Sequence, residues 1–310
     1  MTGNSEGKAM GYQIVTDTAG NLPKRIADGH GIIVLPLTYR FMGQELTCTD
    51  VEAFDGADFY GKMRSGEAVV TSQIVPQTYL EVFEPILKQG DDIICVCMAS
   101  GISGTYGSAS VAGRMLQEDY PGRRVEVIDA MGAALGEGFV AVRSAELRSR
   151  GVSFEDNVEQ LRRLSVRMCN VFTVDDLMYL RRGGRLSNMA AIVGTVLGIK
   201  PLLKGSEEAK IVAFSKVRGR KKSIEALAEC YTALVEAPEE QTVGIVEADC
   251  REDARRLEAL IRKSGKEPKE ILTVGYEPVT GSHVGPGALA LFFEGREDVR
   301  TALDSYPHLH

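Results

Sequence analysis

The sequence predicts an α/β fold in two domains, residues 1–165 and 166–310, the first built on a doubly wound, mostly parallel sheet. Three observations carry this expectation. A chain of 310 residues corresponds to about two domains at roughly 150 residues each. Short β-rich runs alternate with amphipathic helical patterns along its length. The run from Asp92 to Ser100 (DIICVCMAS) is almost continuously apolar, as a strand buried on both faces requires.

The elements follow in order. Tyr12 to Thr16 is the first strand, ended by Asp17-Thr18. Asn21-Leu22-Pro23 then opens a helix, with proline suited to its first turn. Ile32 to Phe41 (IIVLPLTYRF) reads as a second strand, bent or held at an edge by Pro36. Thr49-Asp50 caps a helix carrying Phe54, Phe59 and Met63. Thr71-Ser72-Gln73 is a polar loop before a helix over Pro76 to Lys88, where Tyr79, Val82, Phe83 and Ile86 share one face. The buried strand leads into a small-residue helix ending near Glu118, then a strand at Val125 to Ile128 and a helix rich in alanine and glycine. Ser153 starts an amphipathic helix to about Met168 that bridges the halves. Beyond it, strands are expected near Val171 to Val174, Pro201 to Leu203, Lys210 to Lys216, Val243 to Glu247 and Ile271 to Tyr276. Helices are expected near Asp176 to Arg182, Asn188 to Ile199, Ser223 to Val235 and Arg251 to Arg262, and an apolar helix after Gly287.

Composition removes several function classes. With 44% apolar and 25% charged residues the chain is of ordinary globular type, not disordered. Its longest nearly apolar run, Met189 to Ile199, is shorter than the ~20 residues of a membrane span. The opening MTGNSEGKAM lacks a basic start followed by an apolar core, so a cytoplasmic protein is expected. A net charge of −7 argues against a general nucleic-acid binder. Cys95 and Cys97 would share one face of a strand and no CxxC spacing occurs, so buried thiols are expected rather than a metal site. Glycine is abundant, at 33 residues, which points to tight turns or close backbone approaches.

Four segments could carry chemistry. In Ser100-Gly101-Ile102-Ser103-Gly104-Thr105 a buried strand ends, glycines turn the chain and a helix begins. Ser103 or Thr105 serves there as a helix cap, or the loop holds an anion with N–H and hydroxyl donors. The order of residues fits neither a nucleophile elbow nor a P-loop. His283 alone among four histidines lies in a glycine-rich loop, Gly281 to Gly287, expected between a strand and an apolar helix. It is either structural or a hydrogen-bond donor to an anion. Arg185 stands beyond Gly183-Gly184, past the point where it would cap a helix, and could grip a carboxylate or phosphate. Lys216 to Lys222 (KVRGRKK) is the densest basic cluster, placed where cations oppose a helix dipole. It reads as a solvated loop or a docking patch for an acidic partner.

Nine segments in order, IVTDTAGNLP, PLTYRF, DFYGKMRSG, TSQ, SGISGTYGSA, DDLMYLRRGGRLS, LGIKPLL, KVRGRKKSIEAL and GSHVGPGAL, resemble the DegV family over nearly the whole chain. The resemblance implies a bacterial fatty-acid-binding protein with an acyl chain in a tunnel between two α/β domains. It implies a carrier subunit of fatty acid kinase, presenting the carboxylate to a separate ATP-using subunit that makes acyl phosphate. It further implies that Thr71, Ser72, Ser100, Ser103 and His283 hold the carboxylate, and that Arg185 and Arg218 serve the head group or dock the kinase. No cofactor or metal is implied, and membrane contact would be transient. The sequence departs from the family pattern at Ala99, where a first serine is usual, and at Ile74-Val75-Pro76 after TSQ. Asp17-Thr18-Ala19-Gly20-Asn21 also replaces a commoner Asp-Ser-Thr-Ala-Asp. Burying fourteen to eighteen carbons at ~0.8 kcal/mol per CH₂ gives on the order of 10 kcal/mol, so the head group mainly fixes direction. The rival reading is a phosphotransferase acting on a small anionic substrate through His283.

Overall fold

A computed structural model describes residues 11–187 and 198–305. The first half contributes strands β1 (Tyr12–Asp17), β2 (Ile32–Leu35), β3 (Thr38–Phe41), β4 (Gln44–Thr47), β5 (Val69–Ser72), β6 (Asp92–Cys97) and β7 (Val125–Asp129). Its helices are α1 (Lys24–Gly29), α2 (Gly56–Arg64), α3 (Pro76–Lys88), α4 (Thr105–Asp119), α5 (Leu135–Ser149) and α6 (Phe154–Arg167). Strands β2-β1-β6-β7 form one sheet, parallel throughout. Alternation along β6 explains its apolar run. Ile93, Cys95 and Cys97 pack with Tyr79 and Phe83 of α3 and Leu116 of α4. Ile94 and Val96 face the other way, onto Val140 of α5 and Leu161 of α6. Helices therefore cover both faces, and the first sheet is doubly wound. The Cys95 and Cys97 thiols lie 3.6 Å apart in the core, and the adjacent thiol together with burial pushes Cys97 well above the ordinary thiol range.

In the first half, three expectations from the sequence are corrected. Ile32 to Phe41 is not one strand: the chain breaks at Pro36, and β3 joins a separate antiparallel sheet, β4-β3-β5. Proline cannot donate a ladder hydrogen bond, so the run divides there. The helix expected from Thr49-Asp50 starts later, with the Asp55 carboxylate accepting from the Asp58 N–H as its cap. Thr71 and Ser72 end β5 rather than lying in a loop, paired with Tyr39 and Thr38.

The second half supplies β8 (Met168–Thr173), α7 (Met178–Arg182), β9 (Ile199–Gly205), β10 (Ile211–Arg218), α8 (Arg220–Leu234), β11 (Thr242–Glu247), α9 (Arg251–Arg262), β12 (Glu270–Gly275), α10 (Pro278–Val284), β13 (Leu289–Glu294) and α11 (Val299–Ala302). A six-stranded mixed sheet runs β10-β9-β8-β13-β11-β12, with only β11 and β12 parallel to each other. The apolar helix expected after Gly287 is instead β13, whose odd-numbered residues Leu289, Leu291 and Phe293 pack under α8 and α9. Its even-numbered Ala290 and Phe292, with Phe172 of β8, face the first half. That period of two is a strand's, and a run this short does not distinguish the two states by sequence. The helix expected over Asn188 to Ile199 lies outside the described residues over 188–197, and Ile199 opens β9.

One hydrophobic cluster runs from Val15 and Phe83 of the first half to Phe172, Val246 and Phe292 of the second. The two halves thus share a core along the inner face of the six-stranded sheet. The candidate site lies against this shared surface.

Candidate functional site

After β1 the chain crosses to β2 on one side of the parallel sheet, and after β6 it crosses to β7 on the other. The carboxyl ends of β1 and β6 therefore flank a topological switch point, where open α/β sheets bind ligands. Beyond these ends lies a cavity of about 490 Å³, within the ~300–1,000 Å³ typical of small-molecule sites. Met98, Ala99 and the Met131–Ala134 turn wall one side, and Asn170, Phe172 and Phe292 of the six-stranded sheet wall the other. The wall is mainly apolar, with polar groups gathered on a few residues.

Thr71 and His283 form the clearest of these groups. Thr71 comes from the end of β5 and His283 from the last turn of α10, and Thr71 Oγ1 lies 2.8 Å from His283 Nε2. The segment expected as a loop is thus helical up to Val284: Gly281 lies inside the helix, and Gly285, at φ 80°, terminates it. A Cβ at Gly183 would stand 2.5 Å from His283 Nδ1, so the imidazole packs where only glycine leaves room. Burial, with the Arg185 guanidinium nearby, pushes the imidazole down to about 4. His283 is therefore neutral near pH 7, with one N–H and one lone pair, and adds no fixed charge to the site.

Arg185 also lines the cavity, donating from Nε to the Ile102 carbonyl at 3.1 Å and from its terminal nitrogen to the Gly183 carbonyl. It thereby ties the loop after α7 to the loop after β6. Ser103 lines the cavity but is not the cap of α4, a position held by Gly104: its Oγ accepts from the Thr105 N–H at 3.2 Å and lies 2.9 Å from Thr105 Oγ1. Ser72 lines the cavity from an exposed position beside Thr71. The structure thus brings Thr71, Ser72, Ser103, Arg185 and His283 together.

Two of the expected residues stand apart from it. Ser100 is exposed outside the cavity wall, its backbone N–H directed at the Asp129 carboxylate at 3.3 Å. Its neighbour Gly101 packs against the β9–β10 turn, where a Cβ would meet the Ala209 carbonyl at 2.6 Å. Arg218 is the exposed last residue of β10. At ~3.4 Å per residue the strand carries it roughly 24 Å from the cavity-lining Ile211. It belongs with exposed Lys216, Lys221 and Lys222, whereas Arg220 is bound to Asp253 at 2.7 Å.

Sequence reasoning missed Gln73 and Asn170. Gln73 reaches across Gly104 from the cavity edge and donates to Ser108 Oγ at 3.2 Å. Asn170 donates to the Met168 carbonyl at 2.9 Å, and its own side-chain carbonyl has no hydrogen-bond partner. A lone amide inside the apolar strand MCNVFT was the available signal.

Glu277 caps α10, its carboxylate accepting from the Val279 N–H at 2.7 Å and from the Thr280 N–H. Burial pushes this carboxyl up to about 7. Asp17, at the end of β1, is likewise pushed up to about 7 by burial, and Glu137 beside it is raised well above the carboxylate range. Among the described residues no group of three or more His, Cys, Asp or Glu could hold a metal, and no helix is long and apolar enough to cross a membrane.

Known proteins agree with this architecture. The DegV family model, described as an uncharacterised protein, matches residues 12–296. A DegV domain-containing protein of Clostridium perfringens is 36% identical over 292 residues, covering 92% of this chain and 97% of the relative. Among solved structures, a Thermus thermophilus DegV family protein described for its fatty acid binding is 29% identical with a TM-score of 0.83, covering 93% of this chain and all of that one. DegV of Bacillus subtilis, described as a fatty acid binding protein, is 30% identical with a TM-score of 0.78, at 93% and 100% coverage. With the family match spanning most of its length, this chain belongs to the DegV family.

Proposed function

We propose that the chain binds one long-chain fatty acid, the acyl chain filling the cavity and the carboxylate held by hydroxyl and imidazole groups. The observation that carries this reading is an apolar cavity with a polar corner, where the Thr71–His283 pair lies 2.8 Å apart. The fatty-acid-binding relatives of the same fold support it. Ser72 and Ser103 supplement the pair, and Ser100 acts at the outer loop. Arg185 closes over the head group. The halves meeting near residue 165 clasp the chain between them.

We further propose that the protein is not itself an enzyme. It works in the cytoplasm, presenting the bound acid to an ATP-using kinase subunit that forms acyl phosphate. Arg218 and the exposed lysines around it would dock an acidic face of that subunit. Incubated alone with ATP and oleate, the chain should form no acyl phosphate, and a fatty acid kinase subunit should restore formation. Arg218→Glu should slow that transfer several-fold at low salt without changing oleate affinity. Turnover by the chain alone would favour a phosphotransferase acting through His283. An Arg218→Glu variant that transfers normally would remove the docking role.

A further inference from the structure

The turn after β1 contains no residue of the cavity wall, yet it is tied directly to the element that carries His283. Asn21 is buried, at 1% exposure, with left-handed backbone angles of φ 54° and ψ 24°. Its side-chain amide uses both ends on the other half of the molecule. Nδ2 donates to the Gly275 carbonyl at 2.8 Å, and Oδ1 accepts from the Glu277 N–H at 2.8 Å. Glu277 is the residue whose carboxylate caps α10, so the amide fixes the point from which that helix starts. At the far end of this short helix His283 meets Thr71. The same turn grips the cavity wall from a second direction. Thr18 Oγ1 accepts from the N–H of Leu37, a residue of the wall, at 2.9 Å. Asp17 holds the turn closed by accepting from the Ala19 N–H at 2.8 Å.

We propose that Asn21 is a positioning residue for the carboxylate site, holding α10 so that His283 Nε2 stays on Thr71. The inference rests on the fatty-acid reading of that site. It draws its force from the amide's two bonds, which reproduce a backbone-like pairing between the halves. A side chain without a donor loses the bond to Gly275, and one without an acceptor loses the bond from Glu277. A small misplacement of a hydrogen-bonding group is enough to weaken its contact with a ligand.

Asn21→Gly separates the amide from the backbone, because glycine adopts the left-handed conformation without strain. Asn21→Asp keeps the acceptor for Glu277 and, once ionised at a pH of about 8 or above, loses the donor for Gly275. Two readouts are needed: oleate affinity by fluorescence displacement, and the His283 titration followed by NMR in ligand-free protein. For Asn21→Gly we expect oleate to bind about tenfold more weakly. The His283 midpoint should also move from about 4 towards the ordinary imidazole value as α10 loosens. A folded variant with unchanged affinity and an unchanged His283 midpoint overturns the proposal, even if its melting temperature falls. If Asn21→Gly does not fold, Asn21→Asp answers through the same two readouts. Failure of the wild-type chain to bind oleate would instead defeat the fatty-acid reading. The His283 titration would still decide whether Asn21 positions the imidazole.

Discussion

Affinity for saturated fatty acids should rise roughly fifteen-fold for each two-carbon extension until the chain fills the cavity. The expectation follows from ~0.8 kcal/mol per buried CH₂, so two carbons add about 1.6 kcal/mol. It applies because the wall contains Leu37, Met98, Phe172, Leu180, Val284 and Phe292, which offer the chain apolar contact and no alternative partner. A displacement titration across even-numbered acids should show this rise and then a plateau or a fall at the length the cavity accommodates. A series that is flat from the shortest acids onward would show that the chain does not enter the cavity.

Thr71→Val should weaken palmitate binding by about ten- to a hundredfold and leave hexadecanol binding much less affected. Valine keeps the shape of threonine but deletes the hydroxyl, leaving His283 Nε2 without the partner it holds at 2.8 Å. Hydrogen bonds to a charged group are worth about 1.5–3 kcal/mol, which sets the expected range. The alcohol carries no charge and isolates that term from burial of the chain. The pH dependence follows from His283, which protonates only at about 4 because burial disfavours its charged form. Between about pH 6 and 8 the imidazole stays neutral, so protonation of His283 should add nothing to palmitate affinity in that window. An affinity that climbs steeply as pH falls through about 6.5 would mean that a solvated, protonating histidine holds the head group. Equal losses for acid and alcohol in Thr71→Val would place the effect in packing instead.

The fold was legible where one local pattern decided the outcome. DIICVC, rich in β-branched residues, read as a strand covered on both faces, and the helix Pro76–Lys88 was readable to its ends because Pro76 and a single apolar face delimit it. It was not legible where pairing was decided at a distance. IIVLPLTYRF looks continuous, and nothing in it announces that the residues before and after Pro36 join different sheets. LALFFE uses residues common to both states, and only its neighbours β8 and β11 make it a strand.

The site divides in the same way. His283, Arg185 and Ser103 stood out as reactive or charged groups in glycine-rich segments, and the structure places all three on one cavity. Which serine of the loop faces inward could not be read from spacing. The turn after Ala99 directs the Ser100 N–H to Asp129 and carries Ser103 to the cavity wall. The apolar lining was illegible for a different reason. Phe172 and Phe292 have the same composition signature whether they face a cavity or fill a core. The Asn21 amide was invisible too, because its partners lie more than 250 residues away along the chain.

Native mass spectrometry of the purified chain, with solvent extraction of what it carries, shows at once whether a fatty acid is bound. One fatty acid per chain should be found, released on denaturation and replaced when excess oleate or palmitate is added. A protein that is empty as purified and takes up neither acid would contradict the fatty-acid reading.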